Sequence, residues 1–198
     1  MFAGPNGAGK STLVQRYKVG SRIPMVNPDD IALALRGEHG IDQAAADGKA
    51  GRIAVTQRAR LLSEGRSFGI ETTLTGRSEL QLMQAARNIG YKVNLVYFGL
   101  ESAEDSNSRV MARVRRGGHD VPEQDIYRRF GRSLANLPAA IRLSDRVRVL
   151  DNSDERRRLV LRLDNGRVRA VSRTMPEWAK HAIPRELRSL RRDNGLGH

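Results

Sequence analysis

Gly4-Pro5-Asn6-Gly7-Ala8-Gly9-Lys10-Ser11-Thr12 is the stretch from which the rest of the chain is read. It satisfies the pattern G-x-x-x-x-G-K-[ST] through Gly4, Gly9, Lys10 and Ser11. Glycines let successive backbone N–H groups curl around a phosphate with no Cβ in the way. Lys10 is placed to reach the β and γ oxygens of a triphosphate, and Ser11 to offer its hydroxyl to Mg²⁺. The N-terminus of a helix opening near Lys10 favours the same anion. Met1-Phe2-Ala3 upstream reads as the stub of a strand, and Lys10 to about Tyr17 reads as a helix. Strand, loop and helix are the context the motif requires, so ATP and Mg²⁺ are the expected ligands. A stub of about three residues is short for a central strand, and residues upstream are expected to stabilise it.

Outward from the loop, short apolar runs alternate with amphipathic stretches, the pattern of an α/β fold with a mostly parallel sheet. Strands are expected at Pro24–Asn27, Ser67–Glu71, Tyr91–Phe98 and Arg146–Asp151. Helices are expected at Ile41 to about Glu64, Gly76 to about Asn88, Ala103 to Arg116, and from Pro122, since proline suits a first helical turn. Beyond Asp151, Leu159–Leu161 and Val168–Val171 flank Asp164-Asn165-Gly166, a hairpin signal. The tail from Pro184 is arginine-rich and reads as a loose helix. The expectation is a P-loop domain over residues 1–153, with five strands, and a hairpin and basic tail over 154–198 packed on the same domain.

The totals narrow the chemistry. The 198 residues include no cysteine, which excludes a disulfide framework, a thiolate zinc site and a cysteine nucleophile. No apolar run is long enough to span a membrane, and no leader-like segment precedes the loop, so a cytoplasmic protein is expected. The net charge of +13 calls for anionic partners or a solvated basic face. Aromatic residues make up only 5% and are scattered, so stacking platforms for single-stranded nucleic acid are missing and nucleic acid is not the expected partner.

Ligands of open α/β sheets sit beyond the carboxyl ends of the strands. Val26-Asn27-Pro28-Asp29-Asp30 and Ile70-Glu71-Thr72-Thr73-Leu74 fall there. Transfer of a phosphoryl group to a hydroxyl needs a carboxylate to take the proton. One of Asp29 and Asp30 can do this while the other caps a helix. Arg109, Arg113 and Arg116 are spaced to share a helix face. Gly117-Gly118-His119-Asp120-Val121-Pro122 then makes a flexible corner. Together, about residues 103–122 read as a lid whose arginines close on the phosphates; a basic solvent-facing stripe is the competing reading.

The glycine string resembles the loop of ABC transporter ATPases, but no Leu-Ser-Gly-Gly-Gln signature accompanies it. The pieces in their order resemble the zeta-toxin family, in particular its short bacterial members. The resemblance runs from Gly4 to about Ser153 and is carried by Gly4–Thr12, Val26-Asn27-Pro28-Asp29, Glu71-Thr72-Thr73-Leu74, Arg109–Val114, Gly117–Pro122 and Asp151-Asn152-Ser153. It implies an adenylate-kinase-like fold and a kinase that phosphorylates a UDP-linked amino sugar, with an antitoxin protein as partner. It matches the base to Asp29, acceptor-binding groups to Glu71 and Thr73, with Asn27 beside them, and the first lid arginine to Arg113. The second lid cation falls at His119, with Arg116 as the alternative. Thr75 stands where the toxins carry arginine, and the chain is shorter than theirs. The other function class weighed is a polynucleotide kinase or nucleic-acid-dependent ATPase.

Overall fold

In the computed structural model, which describes residues 1–189, the chain divides into two compact units. One comprises residues 1–10 and the chain from 72 onward; the other comprises residues 11–71. The last nine residues of the basic tail, 190–198, lie outside the described residues.

The first unit is built on a sheet ordered β1 (Phe2–Ala3), β4 (Asn94–Gly99), β5 (Arg146–Asp151), β6 (Arg158–Asp164) and β7 (Arg167–Val171). β1, β4 and β5 run parallel, with Phe2 opposite Val96 and Val96 opposite Arg148. Leu95, Tyr97 and Phe98 of β4 are all buried, as befits a parallel strand covered on both faces. β4 begins later than its apolar run suggests, because the Val93 N–H is taken by the Asp145 carboxylate at 2.8 Å and not by a neighbouring strand. The Asn165-Gly166 turn has φ of 52° and 73°, the left-handed pair that a two-residue hairpin needs. It brings β7 back antiparallel to β6, which lies antiparallel to β5, so the hairpin extends the sheet and buries Val147 and Val149 opposite Leu163 and Leu161.

The helices of this unit are α4 (Arg77–Asn88), α5 (Ala103–Val114), α6 (Glu123–Arg142), α7 (Glu177–Ala182) and α8 (Arg185–Ser189). α5 opens on Ser102, whose hydroxyl accepts from Asp105 N at 3.1 Å. Val110 of α5 packs with Val121 and Ile126, so the arginine-bearing helix is anchored on α6 through the corner that follows it. α6 starts directly after Pro122 and runs on through Pro138. α7 was not expected from sequence; it buries Trp178, Ala179 and Ala182.

The second unit carries α1 (Lys10–Arg16, with Lys10 itself in the first unit), β2 (Met25–Val26), α2 (Pro28–His39), α3 (Gln43–Ser63) and most of β3 (Gly69–Thr72). β2 and β3 pair in parallel, Val26 opposite Ile70. α2 and α3 pack through Ala32, Ala46 and Ala50, with Ile31, Leu35 and Ile41 around them. Small residues at such a contact let the two backbones approach closely. Among the described residues, no helix is long and apolar enough to cross a membrane.

Candidate functional site

The loop from Gly4 to Gly9 joins β1 to α1 and holds the shape the motif demands. Gly4, Gly7 and Gly9 have φ of 139°, 70° and 87°, which side chains other than glycine rarely adopt. A Cβ on Gly4 would also run into the backbone oxygen of Phe98 on β4. Lys10 is almost fully buried, and its Nζ donates to the Gly4 and Pro5 carbonyls at 2.9 Å each. The ammonium therefore sits inside the loop, at the place where phosphate oxygens would be gathered. Asn6 is buried too, and its Oδ1 has no protein partner. Such an atom is one that a ligand or its water satisfies.

Residues far along the chain fix the loop. Ser106 of α5 donates its hydroxyl to Asn6 O at 2.6 Å, and a Cβ on Gly7 would touch Arg109. Asn152, just past β5, donates Nδ2 to Ala8 O at 2.9 Å. Sequence reasoning gave neither Ser106 nor Asn152 a role. Asn152 stood only in a motif string, and nothing local to Ser106 marks it, since the loop is 100 positions away.

The arginines of α5 divide their work. Arg109 donates to Ser153 O at 2.7 Å. Arg113 donates Nη2 to His119 O at 2.7 Å, while its Nε is buried without a partner. Arg116 is exposed and donates to Ala112 O of its own helix. Arg113 and His119 are thus in contact through the His119 carbonyl. Thr73 and Thr75 hydroxyls lie 3.2 Å apart. Leu74 between them is fully buried at φ 58°, held by Thr72 Oγ1 on its N–H and Asn136 Nδ2 on its carbonyl. A bulky residue in that region is strained, and such strain collects at functional turns.

In the second unit, Ser11 Oγ donates to Glu71 Oε1 in a short hydrogen bond, and Asn27 Nδ2 approaches Glu71 Oε2 at 3.4 Å. Glu71 and Asn27 are buried. The cap of α2 corrects the expectation that Asp29 or Asp30 holds it. Asn27 is the N-cap, its Oδ1 accepting from Asp29 N at 3.1 Å, because Pro28 takes the first helical position. Both aspartates occupy the first turn and both are exposed. The Asp30 carboxyl is raised above its ordinary value, first by partial desolvation and further by the charge of Asp29, against a hydrogen bond from Asn27 that lowers it. Ser11 and Glu71 bring together two oxygen donors, the ligand type that Mg²⁺ prefers. Among the described residues, no three His, Cys, Asp or Glu side chains gather as a dedicated metal cage.

Comparison with known proteins agrees with this architecture. A family model for an AAA domain matches residues 1–137. An uncharacterized protein of Haemophilus influenzae is 33% identical over 129 residues, which is 65% of this chain and 89% of that protein. Among solved structures, a chain of the PezAT chromosomal toxin–antitoxin system of Streptococcus pneumoniae superposes with a TM-score of 0.55 at 22% identity, covering 76% of this chain. This chain spans 65% of its length. A Chloroflexus aurantiacus protein, provisionally assigned as a kinase, superposes with a TM-score of 0.50 at 17% identity, over 64% of this chain and 72% of its own. At such identities these likenesses speak for the fold: α/β, with a P-loop and a mostly parallel sheet.

Proposed function

This chain belongs to the AAA domain family of P-loop proteins, and from that premise we propose that it is an ATP-dependent phosphotransferase acting on a small-molecule hydroxyl. One observation carries the reading: a glycine loop in left-handed conformation, closed around the buried Lys10 ammonium. Such a loop gathers backbone N–H groups and one fixed cation on the β and γ phosphates. Mg²⁺, held by Ser11, would neutralise charge on the same oxygens when bound. Arg113, whose Nε has no partner in the protein, is the lid cation, and Arg116 or His119 the second. Asp29 is the proton acceptor by its match to the zeta toxins, and its neighbour Asp30 has the raised carboxyl that suits a base.

The finer reading is a zeta-toxin-like enzyme whose acceptor is a UDP-linked amino sugar, held by Asn27, Glu71 and Thr73, and whose partner is an antitoxin. The fold shared with the PezAT chain and the Glu-Thr-Thr-Leu string support it. The net charge of +13, with Arg167 and Arg169 exposed on the hairpin, favours a nucleic-acid substrate as the second reading.

The test is transfer from γ-labelled ATP to a panel of nucleotide sugars, free sugars and oligonucleotides. Label should move to the hydroxyl of a nucleotide sugar with the wild-type chain and not with Lys10→Ala. Wild-type turnover in a folded Lys10→Ala protein would remove the nucleotide site from the account. Label on oligonucleotide ends alone would replace the first reading by the second.

A further inference from the structure

Asp151 ends β5 in almost complete burial, at 1% exposure, yet four donors converge on its carboxylate. Ser153 donates its N–H at 3.2 Å and its hydroxyl at 2.6 Å to Oδ1, Trp178 donates Nε1 to Oδ1 at 3.2 Å, and Arg158 donates to Oδ2 at 2.5 Å. Burial works to raise this carboxyl, but the hydrogen bonds from Ser153, Arg158 and Trp178 outweigh it and hold it below its ordinary value. The charge is therefore kept, and it organises the turn that follows.

That turn touches the nucleotide loop twice. Asn152, one residue on, holds Ala8 O through Nδ2, and its own N–H is anchored on Gly99 O at 3.0 Å. The Ser153 carbonyl holds Arg109, which lies against Gly7. Behind the turn, the Trp178 ring lies flat on Gly99, where a Cβ would penetrate it. Trp178 is the one tryptophan of the chain. It sits on α7, beyond the 1–137 span that the family model matches.

We infer that Asp151 is a positioning residue for the phosphate loop, acting through Asn152 and Ser153, and that α7 is locked to the same device through Trp178. The segment past the family's own span is then a brace of the nucleotide site. Two consequences follow: nucleotide affinity depends on a carboxylate that touches no nucleotide, and Trp178 emission responds when the loop fills. The inference rests on the proposed nucleotide-binding reading.

The experiment uses the full chain, with Mg²⁺-ATP affinity from calorimetry, steady-state KM and kcat, and Trp178 fluorescence. Asp151→Asn should raise Kd and KM for ATP about tenfold while kcat at saturating ATP stays within about threefold. Wild-type emission should shift on saturation with ATP, and the shift should shrink in Asp151→Asn. Tyr97→Phe is the control: its ring is also beside Trp178, at 6.1 Å, but its hydroxyl bonds to Ser133. It should lower stability and leave KM unchanged, which separates positioning from mere loss of fold. If Asp151→Asn does not fold, Trp178→Phe removes the Nε1 donor together with part of the ring on Gly99 and should weaken ATP binding about threefold. Absence of ATP binding by the wild type would strike the nucleotide reading itself. Wild-type binding with the same Kd in both variants, or with silent Trp178 emission, would overturn the inference alone.

Discussion

Replacing Asn27 by aspartate changes one buried NH₂ into an oxygen and leaves the shape alone. Oδ1 can go on capping α2, since it accepts from Asp29 N in the native chain. The other end of the amide faces Glu71 Oε2 at 3.4 Å and also serves the Asp30 carboxyl, so Asn27→Asp sets a new carboxylate against Glu71 in a buried place, with Asp30 adding to the repulsion. At an effective dielectric constant of about 20, two unit charges at 3.4 Å repel by about 5 kcal/mol. That is between roughly three and four pKa units for the pair. The folded variant therefore binds a proton that its unfolded chain releases near pH 4, and it loses stability as pH rises from there towards about 8. The penalty is about 1 kcal/mol at pH 5 and about 4 kcal/mol at pH 7.5. The added charge at a helix start offsets only about 0.3–1 kcal/mol of it. Asn27→Ser is the reference, since it keeps a capping oxygen, loses the amide donor, and costs about 1 kcal/mol at any pH. Urea unfolding of the three proteins between about pH 5 and 8 measures the difference. Parallel profiles for the two variants would show that Glu71 is not an ionised neighbour of Asn27.

Asp29→Asn should cut phosphoryl transfer by about 10²-fold or more with little change in ATP affinity, and Asp30→Asn should stay within a few fold of wild type. The reverse result in a transfer assay moves the base to Asp30, whose raised carboxyl makes it the alternative. Gly4→Ala forces a side chain onto φ 139° and into the Phe98 carbonyl, so β1 must separate from β4. Its cost should exceed about 3 kcal/mol, and a denaturation midpoint near that of wild type would contradict the loop geometry. Asp151, held below its usual 3.8, contributes stability that is complete above about pH 4 and is lost as pH falls through its folded value. Unfolding midpoints taken down to about pH 2.5 should show the gap between wild type and Asp151→Asn closing only below pH 4; a constant gap would mean that the carboxylate is not charged in the fold.

The parts that were legible in sequence are those whose cause is local. The loop is written in the spacing of Gly4, Gly9, Lys10 and Ser11, and the hairpin in Asn165-Gly166, because each depends on a backbone angle that particular residues permit. β5 was read to its end residues, Arg146 and Asp151, because turn residues bound its apolar run on both sides. The cap of α2 was misread although its signal was present. Asn27, Asp29 and Asp30 all carry capping oxygens, and Pro28 was the residue that decided between them, since proline favours the first helical position. α7 offered nothing to read. Its six residues are too few for a period, and what holds it is Trp178 on a glycine of a distant strand. The hold of Ser106 and Asn152 on the loop is equally non-local, for side chain–backbone bonds across 100 and 144 positions leave no trace in spacing.

Among the described residues, β7 closes its sheet on one side, with a hydrogen-bonding neighbour only in β6. A border of this kind offers main-chain donors and acceptors to any extended segment that drifts past, including another copy of the same strand. Arg167 and Arg169 stand exposed along it, and the pairing with β6 is interrupted between Arg162 and Leu163, which adds twist. Charge and twist together deter stacking of one molecule on the next. Part of the basic excess is thereby accounted for as protection against self-association, since each copy repels another of the same charge.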